Sequence, residues 1–109
     1  MKFKFKITDQ TSFQDALNEI NKLYNANINE IPFNHIIKIA EFIGAELQKS
    51  PPGSMERFKH PAINTFGNFF SVHVIHGGKN EVMVQRANFR KYLFPYFKAI
   101  IENELNKKE

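Results

Sequence analysis

The 109-residue chain contains no cysteine and no tryptophan. Without a thiol it can form neither a disulfide nor a thiolate-ligated zinc site, which fits a reducing compartment. It also lacks any apolar run near the roughly 20 residues of a membrane span. The opening MKFKFKITDQ has no apolar stretch of the signal-peptide kind. A soluble, cytoplasmic protein without a membrane partner is therefore expected. Glycine and proline number five each, and no linker, internal repeat or low-complexity stretch can be found. The chain is expected to be a single domain over 1–109, with residues 1–10 as an extra N-terminal strand or arm.

Catalytic signatures are missing as well. There is no glycine-flanked serine, no P-loop and no pair of carboxylates on one helix face. Acids are scarce where a metal-dependent phosphodiester cleavage would need them. No enzymatic activity, cofactor or small-molecule substrate is expected. The four histidines, His35, His60, His73 and His76, lie in different elements or alternate across one strand, whereas a zinc site needs three or four convergent ligands. His73 on the polar face and His76 at the turn read as ordinary surface groups.

The net charge of +4 is unevenly spread. Residues 1–56 carry six lysines against seven acids, giving −1. Residues 57–98 carry Arg57, Lys59, Lys79, Arg86, Arg90, Lys91 and Lys98 against Glu81 alone, giving +6. The last eleven residues return to −1, with two lysines and three glutamates. Basic charge concentrated on one part of a chain is the footprint of a polyanion-binding surface. A generally basic solvated surface is the plainer explanation. Twelve phenylalanines and three tyrosines crowd the same half, among them Phe58, Phe66, Phe69, Phe70, Phe89, Tyr92, Phe94, Tyr96 and Phe97. Stacking on unpaired bases is one use for them, and filling a small core is the commoner one. Phe69 is the ring that strand alternation places on the outer face.

Periodicity supplies the elements. Lys2–Ile7 alternates lysine with apolar residues and reads as an edge strand or arm. Thr11 or Ser12 caps a helix whose Phe13, Ala16, Leu17, Ile20, Leu23 and Tyr24 form one stripe. Pro32 opens a second helix, in which Phe33, Ile36, Ile37, Ala40, Ile43 and Leu47 make a broad apolar face widened by Ile39 and Phe42. Burial that far round suggests a second copy against the helix, with Gly44 allowing close approach and Ser50–Gly53 as the stop. A helical turn is expected over Met55–Lys59, then a short strand at Ala62–Asn64. Phe69–Ile75 and Glu81–Gln85 alternate around HGGKN as a β-hairpin, with Phe70, Val72, Val74, Val82 and Val84 inward. The last helix is expected to become regular near Leu93 or Phe94, with Pro95 in its first turn and Phe97, Ile100, Ile101 and Leu105 buried.

The run TFGNF (65–69), the segment ANFRK (87–91) and the helix IIKIAEFIGAELQKS (36–50) together resemble the bacterial histone-like HU and integration-host-factor family over about residues 12–105. The resemblance implies an α+β fold of two N-terminal helices, an antiparallel hairpin sheet and a C-terminal helix. It also implies a homodimer, DNA contact through the hairpin and a place at the nucleoid. The family's long proline-tipped arm is missing, since His76–Asn80 is a bare turn, so kinking of DNA is not implied. The combined expectation is a non-catalytic protein binding duplex DNA with little sequence preference. Lys79, Arg86, Arg90 and Lys91 are the first choices for phosphate contacts, followed by Arg57, Lys59 and Lys98. Two alternatives stand beside it: a winged-helix regulator, and a module that docks on a protein partner.

Overall fold

The computed structural model describes Ile7 and residues 10–48, 55–76 and 82–107. The proposed strand at Lys2–Ile7 falls almost wholly outside these residues, and so do the Ser50–Gly53 stop, Lys79 and most of the hairpin turn.

Helix α1 (Phe13–Asn25) starts at Ser12, whose Oγ accepts the Asp15 backbone N–H at 3.0 Å. Asp15 sits in the first turn, where the exposed amide dipoles favour a negative charge. Ala16, Ile20 and Leu23 are buried, and Phe13, Leu17 and Tyr24 flank them, as the spacing predicts. A short strand that periodicity does not reveal, β1 (Glu30–Pro32), leads directly into α2 (Phe33–Ile43).

The second helix is shorter than expected. It ends at Gly44, which has φ 79° and ψ 18°. The Ala45 N–H bonds the Ala40 carbonyl at 2.8 Å and the Gly44 N–H bonds that of Glu41 at 3.2 Å. These two bonds form a Schellman cap, which requires a left-handed residue at the glycine position. Gly44 therefore terminates the helix and does not serve close helix packing, and the stop precedes the prolines. Leu47 leaves the helical stripe for β2 (Glu46–Gln48) and is 47% exposed.

Met55–Lys59 is also corrected. It forms strand β3 (Met55–Lys59) between β2 and β4 (Phe69–His73), not a helical turn. Met, Glu, Arg and Lys favour helix on their own. Pairing on both sides and burial of Phe58 override that preference. Residues 62–64 form no strand.

The expected hairpin is divided between two antiparallel sheets. β4 pairs with β3, while β5 (Ile75–His76) pairs with β6 (Val82–Gln85), whose other edge carries β1. Val74, at the crossing, is buried, and Phe70, Val72 and Val84 point inward as alternation predicts. The result is an α+β fold with two three-stranded sheets, ordered β1-β6-β5 and β2-β3-β4.

The last regular helix starts at Phe94, as expected, and other helical turns lead into it. α3 (Arg86–Asn88) passes into a π-helical segment (Phe89–Leu93) and then α4 (Phe94–Lys107), with helical dihedrals kept at Asn88, Phe89 and Phe94. The Phe94 N–H reaches back five residues to the Phe89 carbonyl. The next residue is Pro95, which has no N–H and whose ring presses on the preceding turn. A widened turn gives an interior proline that room. Pro95 thus lies in the first turn of α4, as expected, while helical backbone continues N-terminal to it.

The core is a single cluster in which α2 packs against α4, β1, β2 and β6. Phe58 stacks on Phe70 at 5.5 Å and 24°, and Phe97 meets Phe70 edge-on at 5.7 Å. Most of the aromatic wealth of the basic half is core.

Candidate functional site

The cations of the basic half separate into two groups. The first lies on the outer face of β2-β3-β4. Alternation along β3 turns Phe58 inward and Arg57 and Lys59 outward. The register sets Lys59 opposite Phe69 and Arg57 opposite Ser71. The guanidinium of Arg57 stands 5.1 Å from the Phe69 ring centre and the Lys59 ammonium 5.7 Å. Both residues remain exposed. Glu46 is the register partner of Lys59 on the β2 side, yet among the described residues neither cation is within ion-pair reach of a carboxylate.

The ring that holds these cations is itself fixed by the TFGNF turn. Gly67 has φ 73°, and a Cβ there would lie 2.6 Å from Phe69 Cε2. Asn68 adopts φ 61°, and its side-chain amide donates to the Ile63 carbonyl at 2.6 Å. Thr65 Oγ1 donates to the Phe69 carbonyl at 2.6 Å. His60, buried, ties this turn to the end of α2. One ring nitrogen, Nδ1, accepts the Ala62 N–H at 3.0 Å, so the other, Nε2, donates to the Ile43 carbonyl at 3.1 Å.

The second group is Arg86 and Arg90. Arg86 Nη1 donates to the Ala26 carbonyl at 2.8 Å, and its backbone N–H to Asn29 at 2.9 Å. Arg90 Nε donates to the Tyr24 carbonyl at 2.8 Å, with its guanidinium 4.8 Å from the Tyr24 ring. Carbonyls at a helix C-terminus have no intrahelical donors, and these two side chains supply them. Neither is a freely removable surface charge, because removing either takes one donor away from the end of α1. Together with Asn29, Glu30, Gln85 and Ala87 they line a recess of about 290 Å³.

Of the remaining expected contacts, Lys91 is exposed beside Tyr92, 5.3 Å from its ring. It stands on the π-helical segment, which packs against β4. Lys98 is half-buried, its ammonium 5.9 Å from the Phe94 ring. Lys79 lies outside the described residues. Phe69 as anchor for two cations was legible only as an outward ring. Asn29, Glu30 and Gln85 carried no signal, because the β1–β6 pairing that assembles them spans more than 50 residues. Among the described residues no three His, Asp or Glu side chains converge as metal ligands. His35 on α2 has its pKa lowered by burial and, secondarily, by Lys38.

No protein-family model matches the chain, and neither a curated protein nor a solved structure matches it. Two segments taken for the histone-like correspondence have a different structure here. Its second helix, taken as 36–50, stops at Ile43 and gives way to β2. Its Ala87–Lys91 junction is already inside the terminal helical rod.

Proposed function

We propose that the chain is a non-catalytic nucleic-acid-binding module that grips the phosphate backbone of duplex DNA through the outer face of β2-β3-β4, with little sequence preference. One observation carries this reading. Arg57 and Lys59 are exposed, held over Phe69, and without an ion-pair partner among the described residues. An aromatic ring fixes the position of a cation without neutralising it, so both charges stay available to phosphate. No base-reading residue is assigned, so in this reading affinity rests on the sequence-independent electrostatic term. A histone-like dimer is a further step that this reading does not require.

The test is the double substitution Arg57→Gln with Lys59→Gln, titrated by gel shift against duplex DNA, single-stranded DNA and RNA at two salt concentrations. Exposed charges away from special contacts change stability within about 0.5 kcal/mol, so the variant should stay folded. Affinity for duplex should fall about equally for all sequences. The salt slope should flatten by about 0.9 for each phosphate that is no longer neutralised. Preference for the single-stranded probes would instead mean that Phe69 stacks on unpaired bases. A folded variant with the parent's affinity and slope sinks the proposal and favours docking on a protein partner, which responds little to salt.

A further inference from the structure

The recess between Arg86 and Arg90 has a composition that capping α1 does not account for. Each guanidinium offers five N–H donors, and the bonds to Ala26 and Tyr24 occupy one on each side chain. Those bonds leave the two forks half-buried, oriented and anchored, with the remaining donors unused by any other bond among the described residues. The arginines are four residues apart on one helical rod, so their like charges face each other across a turn. Among the described residues, no carboxylate comes within ion-pair distance of either. Glu30 lines the same recess, but from β1 and beyond that distance. The Arg86 N–H is already bonded to the Asn29 carbonyl.

We propose that this recess binds a phosphate group. Two pre-oriented planar forks match the oxygens of a phosphate in the bidentate manner arginine favours, and the order they already possess lowers the entropic cost of binding. The Asn29 and Gln85 amides stand at the rim as further hydrogen-bonding groups. Glu30 disfavours a bare anion on its side and suits a ligand that presents a hydroxyl or amine donor there. The phosphate comes either from a nucleic-acid backbone or from a small phosphate monoester. The site is distinct from the sheet face and does not depend on it.

The experiment uses the full chain and avoids removing either arginine, since both hold α1. Thermal unfolding is followed with inorganic phosphate against sodium chloride at matched ionic strength. Binding to the folded state alone should raise the melting temperature in proportion to the logarithm of phosphate concentration once binding is strong, on the order of 5 °C at about ten times the dissociation constant. Ala87 is exposed in the first turn and lines the recess. Ala87→Glu places a carboxylate between the forks and should abolish the increment, while Ala87→Gln, equal in size but neutral, should retain it. A parent protein that gains nothing beyond the chloride control overturns the proposal, as does an increment that survives in Ala87→Glu. A second arm titrates a blunt duplex lacking terminal phosphates. Weaker binding by Ala87→Glu than by Ala87→Gln assigns the recess to a backbone phosphate, and equal binding assigns it to a free monoester. Failure of the sheet-face reading appears separately, in the Arg57→Gln and Lys59→Gln variant.

Discussion

Two glycines share a conformation and differ in what surrounds them. Gly44 and Gly67 have φ 79° and 73°, a region in which an L-residue is disfavoured by about 1–2 kcal/mol. A Cβ on Gly44 would meet nothing within 4 Å, whereas on Gly67 it would lie 2.6 Å from Phe69 Cε2 and 2.7 Å from Cδ2. Gly44→Ala should therefore cost about 1 kcal/mol, the conformational term alone. Gly67→Ala should cost roughly 2–3 kcal/mol, because the Phe69 ring must also move, taking its grip on Arg57 and Lys59 with it. Denaturant midpoints of the two variants check this, and equal destabilisation would show that the ring contact does not fix Gly67. The sequence made one of these glycines readable and the other not. Gly67 stands in a turn-like TFGNF run. Gly44 interrupts an apolar spacing that continues to Leu47, so a cap and a packing glycine look the same until the backbone is seen.

At the scale of the element, α2 shows where periodicity is informative. Its start at Pro32 and its buried Phe33, Ile36, Ile39, Ala40 and Ile43 follow from the spacing. Its end does not, because Gly44 reads equally as a cap or a packing glycine, and the strand at Met55–Lys59 does not, because its pairing partners are remote in sequence. The same helix carries a titratable group in a disfavouring place. Burial, and then Lys38 one turn on, hold the His35 pKa below its ordinary 6.5. The imidazolium is thus harder to form in the folded chain than in the unfolded one. As pH falls through 6.5, the unfolded state takes up more protons and stability declines, while above that value no penalty exists. His35→Gln should flatten that decline between about pH 7.5 and 5.5 in denaturant titrations. Parallel curves for parent and variant would place the pH dependence on other groups.

At the scale of the whole molecule, the charge asymmetry was legible and its arrangement was not. Composition places +6 on residues 57–98, but only the fold sends Arg57 and Lys59 to an open sheet face and Arg86 and Arg90 to the end of α1. The motive for a homodimer weakens for a similar reason. The broad apolar surface of α2 suggested a second copy, yet one chain covers it, through α4, β1, β2 and β6. The Cα radius of gyration is 13.6 Å, against roughly 13 Å for a self-contained domain of this length. Among the described residues, the large apolar side chains left exposed are Leu47, Met55 and Tyr92. Leu47 shares the core-side column with Phe58, Met55 shares the outer face with Arg57, and Tyr92 stands on the π-helical segment. They do not form one patch, and a stable interface needs roughly 800 Å² of contiguous surface from each partner. Sedimentation velocity at tens of micromolar, the range in which modest self-association shows, should therefore give a monomer. A clean dimer under those conditions would overturn this and would make Leu47 and Met55, at the rim of β2-β3-β4, the first candidates for the partner contact among the described residues. Leu47→Ser should then return the chain to a monomer.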